Sequence, residues 1–419
     1  MTYRPHIVII VVNLPVERDR RVIRECLALE QAGYRVSVIC PSGEEKLKHL
    51  PGSRDTAIRS FRQPFGGQGV ISFAVEFIWA FLAVSWRLMG LVLRQRVRAV
   101  QACNPPDVFW PLALLMRALR KPFVFDHHDL SPELYEIKTD QPKGLVSWLL
   151  RVNEKLSMRC ASWVVSTNES YRQIAIERGG CRPDRVTVVR NGPSATEVTG
   201  SATAPVGPRK RIVYLGVINE QDRVDIAVNA AARLAEMRGR EGWELVIAGD
   251  GECLPALRSM VSDGKLDDVV SFTGWLGGAE VDALLASATI GIQPDPRTRM
   301  AELSTMAKTV EYVARGVPVV ATDLLETVRI TEGAARYVTS ASPDEFAKAL
   351  DEMLDDERAL LSMREAGLRL FAADLAWEHQ ARKYISVWQR LAPVSRTIPQ
   401  PRADVSLTGQ NPPVNEPIN

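Results

Sequence analysis

The segment Ser304-Thr305-Met306-Ala307-Lys308-Thr309-Val310-Glu311-Tyr312 places hydroxyls, a cation and a carboxylate close together, just ahead of the apolar run Val317-Pro318-Val319-Val320. A loop entering a helix at Ser304 and Thr305 would aim unpaired backbone N–H groups, and the positive end of the helix dipole, at an anion. Lys308 would add a point charge for a diphosphate. Glu311, three residues on and on the same helical face, would accept two hydrogen bonds from a ribose diol. The same spacing also describes a solvated Lys–Glu pair on an amphipathic helix, and spacing alone leaves both readings open.

A second constellation is Phe125-Asp126-His127-His128-Asp129-Leu130-Ser131-Pro132-Glu133. It ends an apolar run, so its side chains fall at the carboxyl end of a strand, where ligands of α/β proteins bind. Adjacent histidines diverge, so one of His127 and His128 at most faces a cleft. An imidazole there either orients a ligand or is satisfied within the turn. Asp129 and Glu133 either bind ligand hydroxyls or cap the segment after Leu130. DHHD lacks the i,i+4 spacing of a helical metal site, and no metal is expected. A third segment, Asn13-Leu14-Pro15 to Asp19-Arg20-Arg21-Val22, occupies the first β-to-α loop. Arg21 there either meets a ligand phosphate or belongs to a solvated helix start.

These residues need a scaffold, and the hydrophobic pattern supplies two. Residues 6–12 read as a buried parallel strand, 19–32 as a helix ended by Gly33, and 35–40 as the next strand. This βαβ start predicts a Rossmann-like domain, with further strands near 99–102, 122–126, 162–166 and 185–189. A second series opens at 211–216 and alternates strand and helix through 317–321. Residues 194–208 are rich in Ser, Ala, Thr, Gly and Pro and read as a linker. The division is therefore 1–193, linker 194–208, 209–374, a helix 375–392, and a polar, Pro-rich tail 393–419 expected to be disordered. The fold class is α/β, two Rossmann-like domains facing a central cleft.

The bulk numbers agree with such a plan. A chain of 419 residues with 46% hydrophobic content suits two cores. With 52 basic and 50 acidic residues, the net charge of +2 argues against a nucleic-acid partner. The six cysteines show no CxxC or zinc spacing, which fits a reducing, cytoplasmic compartment. The apolar run after the first six residues is too short for a signal peptide.

Taken in order, several short matches resemble the GT-B glycosyltransferases of the large retaining family 4. They are Asn191-Gly192-Pro193, Tyr214-Leu215-Gly216, Ala248-Gly249-Asp250-Gly251, Phe272-Thr273-Gly274 and Glu311 to Gly316-Val-Pro-Val-Val. Within that family the "STMxKxxEY" and "DHHDLxPEL" segments resemble a subgroup tied to surface or extracellular polysaccharide assembly. The resemblance implies the GT-B fold, with the C-terminal helix crossing back to the first domain. It implies metal-independent transfer from a nucleotide-sugar donor, bound by the second domain, to a glycan or polyprenyl-linked acceptor on the first. The nucleotide sugar is then a substrate, and no cofactor is expected. The glutamate matching Glu311 holds the ribose, and the histidine near the donor sugar falls on His128. Gly216, Gly249 and Gly251 line the donor site, and Arg223 stands where the family carries a diphosphate cation. The family's partner acid, eight residues before the glutamate, falls on Leu303, with Glu302 one residue off. Rival readings are an inactive scaffold that assists assembly, or a sugar-nucleotide epimerase of the same fold.

Residues 70–93 are apolar, with Glu76 and Arg87 leaving ten uncharged residues between them. As helix this covers about 15 Å, half a bilayer core, so no span is expected. Trp79 and Trp86 fall on one face, with arginines following. That pattern suits either a peripheral membrane interface or a buried domain helix.

Overall fold

A computed structural model describes residues 4–63, 70–139, 144–198 and 209–394. The later part of the expected linker (199–208) and nearly all of the expected tail (395–419) lie outside the described residues.

The first sheet has seven parallel strands: β1 (His6–Ile10), β2 (Arg35–Ile39), β3 (Ala57–Ile58), β4 (Val97–Cys103), β5 (Phe123–His127), β6 (Trp163–Ser166) and β7 (Val186–Val188). Their order is β3-β2-β1-β4-β5-β6-β7. The second sheet has six: β8 (Lys210–Leu215), β9 (Trp243–Ala248), β10 (Val270–Gly274), β11 (Ile290–Gln293), β12 (Val319–Thr322) and β13 (Ala335–Val338), in the order β10-β9-β8-β11-β12-β13. In both sheets the chain reverses direction of travel beside the first strand, which opens a crevice at the strands' carboxyl ends.

Local sequence explains the elements that carry the site. The strand His6–Ile10 is buried along its whole length, as a central parallel strand covered on both faces must be. Asp19 starts the helix Arg20–Gln31 by accepting the Val22 amide on its Oδ1 at 3.0 Å, and Gly33, at φ +90°, ends it. Helices cover both faces of each sheet.

The first domain's core is completed by the other end of the chain. Trp377, Tyr384, Val387 and Trp388, from the helix Trp377–Leu391, are buried among Ile7, Ile9, Leu29, Val36 and Val124. The Trp377 amide donates to the Pro193 carbonyl at 3.0 Å, so the returning helix is tied where the first domain ends. The expected crossover is therefore present.

The apolar segment forms a 25-residue helix, Val70–Arg94. By length and composition Val75–Arg94 would suffice to cross a membrane, with a mean hydropathy of 1.6. Its inner face is packed, however, with Ala80, Val84, Leu88 and Leu91 buried against the first sheet. Its outer face is also apolar: Ile78, Leu82, Trp86 and Leu93 are 62, 57, 82 and 79% exposed. The buried-helix reading therefore holds for the inner face. Arg87 is not part of a charged rim, because it donates to the Ser60 and Ala83 carbonyls and lies over the Phe61 ring.

Candidate active site

The two sheets meet at their carboxyl ends, and side chains from both domains tie the base of the cleft. Asn168, just past β6, caps the helix Glu169–Glu177 with its Oδ1. Its Nδ2 reaches across to the Leu303 carbonyl at 2.8 Å and to Thr305 Oγ1 at 3.2 Å. Tyr171 Oη lies 3.1 Å from Ser304 Oγ. The buried Glu326 accepts the Ser170 amide and hydroxyl at 2.9 and 2.6 Å. The side chains of Ser304 and Thr305 are therefore committed to the facing domain. What the turn can still offer a ligand is backbone N–H groups at the start of the helix Ala307–Ala314, which have no intrahelical acceptor.

Lys308 is the second residue of that helix and is buried. Its Nζ lies 3.0 Å from both oxygens of Asp295, 3.9 Å from Asp222, and 5.1 Å above the Tyr214 ring. Burial alone would lower its pKa, but Asp295 and Asp222 outweigh that and raise it, so the charge stays. The expected free cation is instead a buried ion pair. Burial raises the pKa of Asp222, and Lys308 opposes the shift. Glu311 lies one turn further along, with Oε2 accepting from Arg315 Nη1 at 2.5 Å. Arg315 also binds Asp282 through Nε at 2.8 Å. Glu311 Oε1 takes no hydrogen bond among the described residues.

Several expected site residues have other employment, and these are corrections. Arg223 adopts the left-handed conformation at φ +47° and is exposed, its guanidinium forked onto Asp225 at 2.9 and 3.0 Å. A side chain so paired is not aimed at a diphosphate. Gly249 and Gly251 serve loop packing: a Cβ on Gly249 would come within 1.8 Å of the Gly216 carbonyl oxygen, and one on Gly251 within 2.4 Å of the Ile218 oxygen. Gly216 in turn faces Lys308 and the Tyr214 hydroxyl. The three glycines let the turns after β8 and β9 touch. Glu133 is buried and neutralised by Arg178, at 2.6 and 3.2 Å, so it is not open to acceptor hydroxyls. Arg21 is also buried. It donates to Asp126 Oδ1, the Val189 carbonyl and Asn191 Oδ1, each at 2.8 Å. It braces the first domain and is not positioned for an acceptor phosphate.

His128 and Asp129 stand at the carboxyl end of β5. Asn104 Oδ1 accepts both backbone amides, at 2.5 and 3.2 Å. His128 Nε2 lies 2.6 Å from Asp126 Oδ2. Arg21 Nε is 3.0 Å from the same nitrogen but also 3.2 Å from Asp126 Oδ2. Nε2 can either accept from Arg21 or donate to Asp126, and the carboxylate is the better acceptor for both N–H groups, so Nε2 carries its proton toward Asp126. Nδ1 is then the nitrogen left for the cleft. The Asp129 carboxyl has no partner among the described residues, and burial raises its pKa against the opposing pull of His128. His127 is buried between Phe125 and Tyr171, with Glu154 at 3.5 Å, and does not reach the cleft.

Cys103, Asp126 and His128 place ligand atoms within 4.8 Å of one another. Asp126 already has Arg21 as its counter-charge, and burial holds the Cys103 thiol protonated, so the set suits an ion pair better than a metal. Sequence reading passed over Asp295, Asn168 and Glu326. Asp295 could have been noticed as an acid just beyond the end of a parallel strand; the other two matter only through contacts between domains.

Two Rossmann-like domains facing a cleft, with a C-terminal helix returning to the first, define the GT-B class. The model for the "Glycosyl transferase 4-like domain" matches residues 19–192, and that for "Glycosyl transferases group 1" matches 209–356. Glycogen synthase of Mycobacterium tuberculosis is 24% identical over 397 residues, covering 90% of this chain and 92% of that protein. From the same organism, a GDP-mannose-dependent alpha-(1-6)-phosphatidylinositol monomannoside mannosyltransferase is 31% identical over 185 residues, 42% of this chain and 47% of that one. Among solved structures, sucrose-phosphate synthase from Thermosynechococcus elongatus superposes with a TM-score of 0.71 at 16% identity, covering 94% of this chain and 100% of that one. The chain belongs to the family 4 glycosyltransferases, enzymes that draw a glycosyl group from a nucleotide-sugar donor.

Proposed function

We propose that this enzyme transfers its sugar, with retention, to a glycan or polyprenyl-linked acceptor at the cytoplasmic face of a membrane, in surface or extracellular polysaccharide synthesis. The observation that carries the membrane reading is the outer face of the helix Val70–Arg94. Ile78, Leu82, Trp86 and Leu93 recur at helical spacing with Trp79 beside them, all exposed on the domain that would hold the acceptor. An apolar stripe with tryptophans, followed by Arg94, Arg96 and Arg98, suits the boundary between lipid headgroups and acyl chains. The mannosyltransferase relative is named for a lipid acceptor, which supports the same reading.

The donor lies against the second domain. Glu311 Oε1 meets the ribose, and the turn amides after Thr305 meet the diphosphate. Lys308 shares its charge between that diphosphate and Asp295, stabilising the leaving group as it departs. His128 Nδ1 orients the donor sugar from the facing domain. Cosedimentation with anionic phosphatidylglycerol vesicles tests the membrane part. Wild-type protein is expected in the pellet and the Leu82→Glu/Trp86→Glu variant in the supernatant; wild type left in the supernatant overturns it. Transfer from a donor panel to polyprenyl-diphosphate-linked against soluble glycans, with the anomeric product read by NMR, tests acceptor and stereochemistry.

A further inference from the structure

Behind His128 lies a buried polar chain that the transfer reaction does not touch. Asp126 Oδ2 accepts from His128 Nε2 at 2.6 Å, from Gln101 Nε2 at 3.1 Å and from Arg21 Nε at 3.2 Å, while Oδ1 takes Arg21 Nη2 at 2.8 Å. Glu25, one turn along the helix from Arg21, is fully buried beside it. Its Oε2 accepts from Gln101 Nε2 at 2.6 Å, and its Oε1 finds only Arg21 Nε, at 3.3 Å. The Gln101 amide is held this way round because a flip would turn its oxygen onto the Asp126 carboxylate; its Oε1 accepts the hydroxyl of Tyr384, from the returning helix, at 2.7 Å. The other ionisable groups facing Glu25 are the buried thiols of Cys26 and Cys103 and the Tyr384 phenol, all kept neutral by burial.

With the His128 ring neutral, the charges do not balance if both carboxyls ionise, since one guanidinium would face two buried anions. Asp126 collects four nitrogen donor contacts, two of them the arms of the Arg21 fork; Glu25 collects one good hydrogen bond. The anion therefore belongs on Asp126. We propose that Glu25 is a positioning residue for the transfer reaction: held as a neutral carboxylic acid, it leaves Asp126 as the single anion, which fixes the His128 ring with Nε2–H inward and Nδ1 toward the donor sugar. The direction of the titration shifts is the same: burial and Asp126 push the Glu25 carboxyl up, while Arg21 holds Asp126 down against burial.

The assignment of a role to His128 rests on the function proposed above, but the arrangement behind it is tested without turnover. With only five histidines in the chain, His128 is assignable by labelled-histidine NMR against a His128→Asn control. In Glu25→Gln, which keeps the shape and removes any charge, the His128 titration midpoint is expected within about 0.3 units of wild type. A fall of about one unit or more would mean that Glu25 carries a negative charge, and would overturn the proposal. In Glu25→Leu, which removes the Oε2 that holds Gln101 Nε2 beside Asp126, Gln101 no longer fixes the Asp126 carboxylate, and His128 is expected to populate both tautomers, with kcat lowered about tenfold and KM unchanged. A single Nε2–H tautomer and wild-type kcat in that variant would refute the positioning role. Should Glu25→Leu not fold, the glutamine variant still decides. A wild-type Nε2–H tautomer with no transferase activity would instead count against the function proposed above and leave the assignment of Glu25 standing.

Discussion

Asp295→Asn is the substitution with the most to say about the donor site. Asp295 and Lys308 are both nearly free of solvent, and the ammonium is 3.0 Å from each carboxylate oxygen. Breaking a buried pair on one side strands the other charge, at a cost of about 3–5 kcal/mol. Asp222, at 3.9 Å, and the Tyr214 ring remain to share the ammonium, so the lower end applies, about 3 kcal/mol. For a domain of this size that corresponds to a fall in Tm of roughly 6–12 °C. Thermal and urea unfolding of the ligand-free protein measures it. Adding Lys308→Met to Asp295→Asn should recover most of the loss, because an uncharged, packed replacement leaves nothing stranded. If Lys308 serves the diphosphate, a nucleoside diphosphate should raise the Tm of Asp295→Asn more than that of wild type, and the nucleoside alone should not. A single variant within about 0.5 kcal/mol of wild type would refute the reasoning, since a solvated pair costs no more than that.

Two further outcomes follow from groups described or neighbouring. Asp107, buried between Asn104 and Ser131, has its carboxyl raised to about 7, by burial first and by Glu154 second. A carboxyl raised in the folded state contributes stability that is fully present below its unfolded pKa and is lost as pH rises from about 4 to about 7. Asp107→Asn should flatten that part of the stability–pH curve by up to about 4 kcal/mol, measured by urea unfolding across pH 4–8; an unchanged slope would contradict the assignment. Gly249→Ala combines φ +147° with a Cβ 1.8 Å from the Gly216 oxygen. It should cost about 3 kcal/mol or more and separate the turns after β8 and β9, read as a lowered Tm and lost donor binding; a Tm within a few degrees of wild type would show that the loops part easily.

The two-domain plan was legible because parallel strands buried on both faces write long apolar runs, and because Gly33 and the residues near 194 punctuate them. The crossover helix was expected from the resemblance to the GT-B enzymes, and Trp377, Tyr384 and Trp388 are the residues that carry it into the first core. The site was only partly so. Sequence names a residue and its spacing along the chain but not its partner. Lys308 reads as a free cation until β11 brings Asp295 beside it, thirteen residues away. Arg21 reads as a solvated helix start until β5 places Asp126 against it, 105 residues away. Gly216 and Gly249 do not reveal along the chain that their turns touch each other. Leu303 shows the opposite case. Its side chain says nothing useful, yet its carbonyl is the acceptor that joins Asn168 of the other domain.

The returning helix has a consequence for how this protein comes into being. The first domain's core contains Tyr384 and Trp388, both wholly buried, and these leave the ribosome long after that domain's last strand, Val186–Val188. The first-made half of the chain must wait, with part of its apolar interior uncovered, until the helix Trp377–Leu391 arrives to close it. Order of synthesis and order of completion therefore run in opposite directions. The second domain's main core, drawn from residues 212–360, is by contrast made of one stretch of chain.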